Sequence, residues 1–264
     1  MDTTTSPDFL RTYLQELPLH RAIVRALEAR LYRMYAGHLR EPILDVGSGD
    51  GSFAQVVLPQ AQIYGIDPLR ADTREAAGRQ SYTGVAVASG ASIPFQDAAF
   101  ASVICNCVLE HVIPLRETLA EISRVTAPGG LFIATVVTER FSRSLLGYQI
   151  LERLGLSGML YSDWLNHKAH HFNLLSREGW IIAMERVGFE VIEEVPYLGG
   201  QTMQIFDFGH YWALPNLATY RQTGRWHLSA LINNNRIWEG VLRPAYEQAL
   251  DASGTCLFML CRKR

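Results

Sequence analysis

Three glycines at alternate positions, Gly47, Gly49 and Gly51, follow the apolar run Ile43 to Val46, within which one acidic residue, Asp45, is set. Glycine lets a backbone turn sharply and lets a ligand lie directly against it. A helix starting just beyond such a turn offers unpaired N–H groups to an anionic or polar ligand. The pattern points to a nucleotide-like cofactor at the end of a first strand. Asp67 closes a second apolar run, Ile63 to Ile66, and lies 20 residues beyond Gly47. At that separation an acidic residue on the next strand reaches ribose hydroxyls.

The details select among nucleotides. A dinucleotide fingerprint places its third glycine at position 52, where this chain has Ser52; the third glycine here is Gly51. Asp45 stands two positions before Gly47, where its charge would repel a pyrophosphate and would suit a ligand carrying an ammonium group. Both features turn the reading away from a dinucleotide and towards S-adenosylmethionine.

Groups able to move a proton are the histidines His111, His170, His171 and His210, together with several tyrosines. His111 has two readings, as a structural residue or as a base. The segment His167-x-x-His170-His171 has no cysteine or carboxylate cluster beside it, so no metal site is expected. His170 and His171 stand just ahead of a helix that Ser176 is placed to cap, in a position to line an acceptor pocket or a surface loop. Cys105 and Cys107 alternate along an apolar run and are expected to point to one side of a strand, as packing groups.

These residues need a scaffold. Helical periodicity precedes the glycine turn twice, around Phe9 to Leu17 and from His20 to Leu39. Those two helices either cover a sheet face or close over the cofactor. After the turn come a helix over 53–58, a strand over 63–66, a helix over 69–80, and strands over 85–88 and 100–106. A helix carrying Leu115, Leu119, Ile122 and Val125 is stopped by Pro128-Gly129-Gly130, and a strand follows over 131–137. This alternation predicts a doubly wound, mostly parallel α/β sheet of the Rossmann-like kind. Ligands on such sheets bind at the carboxyl ends of the strands, where Asp45, the glycines, Asp67, Ser89 and Asn106 would gather.

The segments Leu44-Asp45-Val46-Gly47-Ser48-Gly49-Asp50-Gly51, Gly65-Ile66-Asp67-Pro68, Ile93-Pro94-Phe95, Val108-Leu109-Glu110-His111-Val112 and Pro128-Gly129-Gly130-Leu131 occur in one order over residues 40–137. In these the chain resembles the class I S-adenosylmethionine-dependent methyltransferases, in particular the type 11 small-molecule group. The resemblance implies a seven-stranded sheet whose last strand runs antiparallel, with a helix over 177–187 and strands over 189–195 and 255–261. It also implies site residues. The backbone of Gly47, Ser48, Gly49 and Gly51 would pass beneath the amino-acid and ribose portions of S-adenosylmethionine. Asp67 and Pro68 would hold the ribose, Ser89, Gly90 and Ala91 would border the adenine, and Asn106 would lie near the methionine part. Two positions depart from the pattern: Ser89 replaces an aspartate that many relatives carry, and Ala101 another. A serine accepts from an adenine amino group more weakly than a carboxylate does.

The expected organisation is a single domain over 1–264. Helices occupy 1–40, the cofactor core 41–137, and substrate-side insertions 138–175 and 196–252. The first insertion has an amphipathic pattern over 145–154, followed by Trp164. The second is expected to be largely helical and carries Trp212, Trp226 and Trp238 with Tyr197, Phe206, Phe208, Tyr211, Tyr220 and Tyr246. An aromatic cap of this kind selects an apolar or ring-bearing small-molecule acceptor; extra core, a homodimer contact and peripheral membrane docking are the other readings, and the oligomeric state stays open between monomer and homodimer. A net charge of −2 and the segment Asn106-Cys107-Val108-Leu109, in place of the Asn/Asp-Pro-Pro-aromatic motif of base-amino methylation, weigh against nucleic acid. Four cysteines without a C-x-x-C pair, no secretory signal and no apolar run of membrane-spanning length lead to the expectation of a cytoplasmic protein. The alternatives to methyl transfer are a non-catalytic relative that binds the cofactor or a partner, and a nicotinamide-dependent oxidoreductase.

Overall fold

The computed structural model describes residues 7–213, 235–248, 250 and 252–264. Tyr220 and Trp226 lie outside the described residues. Two helices, α1 (Phe9–Glu16) and α2 (Leu19–Tyr35), come first; Asp8 caps α1 by accepting from the Arg11 N–H, and Pro18 separates the two. The alternating core follows: β1 (Ile43–Val46), α3 (Ser52–Val57), β2 (Ile63–Asp67), α4 (Arg70–Ala77), β3 (Tyr82–Val87), β4 (Phe100–Asn106), α5 (Leu115–Val125) and β5 (Thr126–Val137). Three helices then fill the first insertion: α6 (Arg140–Ser144), α7 (Leu146–Arg153) and α8 (Met159–Ala169). The chain returns through α9 (Arg177–Arg186) and β6 (Phe189–Tyr197), crosses the second insertion with α10 (Gly200–Trp212) and α11 (Asn235–Gln248), and ends in β7 (Cys256–Lys263).

The strands form one seven-stranded sheet in the order β3-β2-β1-β4-β5-β7-β6. All neighbours up to β5 are parallel, and β7 runs antiparallel to both β5 and β6. Strand alternation sends successive side chains to opposite faces, and each face has its own core. Ile43, Ile104, Ile133 and Phe258 pack with α1, α2 and α3 on one side. Leu44, Val103, Phe132 and Met259 pack with α5 and α9 on the other, around the fully buried Trp180. The order reverses beside β1, between β1 and β4, which is where doubly wound sheets open a crevice at their carboxyl edge.

Four local expectations are corrected. The third strand begins at Tyr82, not at residue 85, and α4 spans Arg70–Ala77, not 69–80. The segment Pro128-Gly129-Gly130 does not stop α5, which ends at Val125 with Thr126 already extended. Those residues bulge out of β5, whose pairing with β4 jumps from Phe100↔Thr126 to Ser102↔Leu131, and Gly129 supplies the positive φ of 70° that the bulge requires. The amphipathic stretch over 145–154, by contrast, forms one helix as expected, α7 (Leu146–Arg153), with Leu145 and Leu154 at its two ends. Cys107 does not share a side of β4 with Cys105. The strand stops at Asn106, and Cys107 takes a left-handed φ of 50° that swings its thiol towards α2.

Trp180 has no exposed surface and its indole N–H donates to the Val137 carbonyl at 3.0 Å. Trp180→Ala is expected to cost about 3–5 kcal/mol, read as a lower denaturant midpoint, because it removes the largest fully buried side chain and leaves a cavity in that core.

Candidate functional site

The glycine turn follows β1 in a backbone that only glycine adopts freely: Gly47, Gly49 and Gly51 all have positive φ. Gly47 is hemmed in, since a Cβ there would lie 2.4 Å from the Val108 side chain. Gly49 faces open space, with nothing within 4 Å of where a Cβ would stand. Asp67, at the end of β2, binds the turn from the side: one carboxylate oxygen accepts from the Gly49 N–H at 3.0 Å and the other from the Leu69 N–H at 2.8 Å. Each oxygen keeps a second lone pair. Pro68 beside it is exposed. Asp45 is almost fully buried and accepts from the Tyr82 hydroxyl at 2.6 Å. Burial raises its pKa to about 6, against the opposing pull of the Tyr82 bond. The loop after β3 reaches the same edge, where a Cβ on Gly90 would meet Thr118 at 2.9 Å and Val46 at 3.5 Å. Ser89 turns its hydroxyl back to the Ala91 N–H.

Asn106 sits at the end of β4 and is fully engaged. Its side-chain oxygen accepts from the Thr135 hydroxyl, and its amide donates to Glu28, both at 2.8 Å. Glu28 comes from the middle of α2 and has no exposed surface. Its two oxygens accept from Arg25 at 2.8 Å, the Cys107 thiol at 2.8 Å, the Asn106 amide and the Tyr197 hydroxyl at 3.2 Å. The N-terminal helices thus cover a sheet face, and through Glu28 α2 also reaches the carboxyl end of β4. Burial pushes the Cys107 thiol pKa well up, so it is a donor to Glu28 and not a thiolate.

Just beyond this hub lies a cavity of about 150 Å³ bordered by Cys107, Glu110, His111, His171, Phe206 and His210, among others. Asn173 fixes the loop that carries Glu110 and His111 by donating to the carbonyls of Leu109 and Val112. The rings form a chain around the wall. His111 and His171 are 5.2 Å apart, Phe141 meets His171 edge-on at 5.4 Å, and Phe206 meets His210 edge-on at 4.7 Å. Burial lowers the pKa of His111, His210 and His171, the last to about 4, so all three are neutral at pH 7. A larger open groove of about 460 Å³ lies between Arg33, Leu39 and Pro59, at the amino end of β1 and away from these groups.

The histidines predicted as proton carriers are therefore separated. His111 and His171 share the cavity wall. His170 does not: it caps α8 in a left-handed conformation (φ 55°), is exposed, and meets His111 only through its carbonyl at 3.1 Å. Among the described residues no cluster of three potential metal ligands occurs. Sequence reasoning missed Glu28, Tyr82 and Thr135, and it gave Glu110 no role. The signal for Glu28 was present, because an acidic residue interrupts the apolar stripe of Val24, Leu31 and Tyr35 at helical spacing.

A family profile described as a methyltransferase domain matches residues 13–194. The chain belongs to this methyltransferase family. A demethylmenaquinone methyltransferase of Symbiobacterium thermophilum is 31% identical over 111 residues, covering 38% of this methyltransferase and 44% of the relative. An uncharacterized methyltransferase of Mycobacterium leprae is 35% identical over 145 residues, covering 49% and 53% respectively. Across the curated relatives the chain spans between 36% and 53% of their own lengths. Among solved structures, a geranyl diphosphate methyltransferase in complex with GPP and sinefungin superposes with a TM-score of 0.56 at 17% identity, over 90% of this chain and 78% of that one. The [4+2]-cyclase SpnF superposes with a TM-score of 0.57 at 19% identity, over 89% and 81%. At those identities the structural likeness is one of fold, and function has to be argued from the site.

The family implies S-adenosylmethionine, and the residues fit it. Gly49 leaves room against its backbone, Asp67 retains acceptor capacity, and two buried hydroxyls at this edge, Ser48 Oγ and Thr118 Oγ1, have no hydrogen-bond partner among the described residues. Two outcomes are expected from the site's own energetics. Glu28→Ala strands the buried donors of Asn106 and Tyr197 and should cost about 3 kcal/mol in a urea titration. As pH falls from 6.5 to about 4, the unfolded chain gains a proton that folded His171 refuses, so stability should fall through that window. Comparison of urea midpoints at pH 7 and pH 5 should show a smaller loss in His171→Phe than in the wild type.

Proposed function

We propose that this chain transfers a methyl group from S-adenosylmethionine to a small, apolar or ring-bearing acceptor. The observation that carries the reading is the clasp at the sheet's carboxyl edge, where Asp67 holds the glycine turn beside the open face of Gly49 in a member of a methyltransferase family. Asp67 would take the ribose hydroxyls with its remaining lone pairs, and Pro68 would follow the same edge. The backbone of Gly47, Ser48, Gly49 and Gly51 would support the amino-acid and ribose portions. Asp45 would face the ammonium group, whose charge favours the ionised carboxylate. Ser89, Gly90 and Ala91 would border the adenine, with Thr118 behind them, and Asn106 would flank the methionine portion.

The bound cofactor supplies a methyl group already activated on a sulfonium. The chain's own contribution is to align an acceptor for in-line attack and to keep water away. The cavity suits that task, because its lining offers apolar walls, three neutral histidines and, among the described residues, no lysine or arginine. His111 and His171 face the acceptor in this reading, while His170 holds the loop that places His111. The aromatic insertions contribute through Phe141 and Phe206, which close the cavity; Trp212 and Trp238 pack on each other at 5.4 Å.

Calorimetry with S-adenosylhomocysteine is the direct test, and measurable one-to-one binding is expected. Asp67→Ala should weaken it by about 1–3 kcal/mol. No binding by the wild-type protein would overturn the reading, and unchanged affinity in a folded Asp67→Ala would remove the ribose assignment. Labelled cofactor incubated with a metabolite extract should then deliver label to a low-molecular-weight product.

A further inference from the structure

One carboxyl oxygen beside the cavity has no partner among the described residues. Glu110 is 1% exposed, borders the cavity, and its Oε2 has no hydrogen-bond partner among the described residues. Its main chain is committed: the Glu110 carbonyl accepts from the Phe172 and Asn173 N–H groups at 2.8 and 3.1 Å. The backbone is therefore locked while the side-chain oxygen stays free. A buried polar atom without a partner is costly, and a fold retains one where a ligand completes it.

The surroundings define what that ligand is. From α2, Glu28 and Arg25 face this region, but Arg25 is bound to Glu28. Cys105 and Cys107 approach from β4 and its following loop, Tyr197 from β6, and Cys256 from β7, each with a thiol or phenol held neutral by burial. His111, His171 and His210 share the cavity and are neutral as well. No lysine or arginine is among the described residues that line the cavity, so an anionic group would meet no counter-charge from them and would lie beside two carboxyls. The rest of the wall is apolar, with Val24, Val137, Phe141, Leu165, Leu198 and Phe206. A cavity of about 150 Å³ accommodates a single benzene-sized ring.

We propose that Glu110 binds the O–H or N–H of a neutral, single-ring acceptor and takes its proton as the methyl group is transferred. This rests on the methyl-transfer reading above. In the step, a lone pair of the acceptor oxygen or nitrogen forms the new bond to the methyl carbon. The sulfur–methyl bond breaks with its electrons going to sulfur, which becomes a neutral thioether. The acceptor's proton passes to the Glu110 carboxylate, giving the carboxylic acid, and is lost to water as the product leaves. Burial raises the Glu110 pKa to about 8, so at pH 7 the unliganded group is mostly the acid, and the positive charge of a bound sulfonium would draw it to the carboxylate that takes the proton.

The test uses phenol, toluene and benzoate as probes at pH 7, on the protein alone and saturated with S-adenosylhomocysteine, with dissociation constants read by ligand-observed NMR. Phenol should bind at least ten-fold more tightly than benzoate in the wild type. The ratio of phenol to toluene affinity should fall at least ten-fold in Glu110→Leu, or in Glu110→Met if the leucine variant does not fold. Benzoate binding as tightly as phenol overturns the proposal, and so does an unchanged phenol-to-toluene ratio in a folded variant. If S-adenosylhomocysteine binds and the ratio is unchanged, Glu110 loses its role while methyl transfer stands. If S-adenosylhomocysteine does not bind, the proton step falls together with the methyl-transfer reading.

Discussion

The buried carboxylate of Glu28 is the constraint on which the working edge of this protein depends. A fully desolvated negative charge is tolerable only when it is paired and its lone pairs are used, and Glu28 meets both conditions. Its partners come from four places in the chain: α2 itself, the end of β4, the left-handed turn at Cys107, and β6. The hub thereby fixes Asn106 on the side proposed for the cofactor and Cys107 on the cavity side. One helix from outside the sheet sets the geometry of both halves of the site.

Between the two halves runs the short loop after β4. Val108 packs on Gly47, and two and three residues later Glu110 and His111 border the cavity. The loop is held by backbone bonds from Phe172 and Asn173, so the first insertion positions it as much as the sheet does. The residues that would touch donor and acceptor are thus neighbours in sequence, on a segment that has little freedom to move. Catalysis by alignment needs this kind of rigidity.

Much of the fold was legible because its signals are local. Apolar runs of strand length, the glycine turn and the Ser176 cap each act within a few residues and marked the elements and their order. The boundaries that failed depend on partners far along the chain: Tyr82 joins β3 through pairing with β2, and Pro128–Gly130 bulge because β4 sets the register. At the site, Asp45 and Asp67 stood out because a carboxylate inside or at the end of an apolar run is conspicuous. Glu28 and Glu110 were harder to see. A charge on a mostly apolar helix reads as solvated until its neighbours are known, and the left-handed turn that separates His170 from His171 leaves no mark in composition.

The bond between Tyr82 and Asp45 also bears on how the sheet keeps its edge. Tyr82 belongs to the outermost strand, Asp45 to the strand two places inward, and Gly65 lies between them on β2. A Cβ on Gly65 would stand 2.8 Å from the Tyr82 ring, so the missing side chain makes a channel through which the ring crosses its neighbouring strand. An edge strand held only by its ladder can slip, and a slip of one residue would turn Tyr82 to the opposite face. Here β3 is latched to a second strand by a side chain, and the register of the rim is tied to the charge of the residue at the mouth of the crevice.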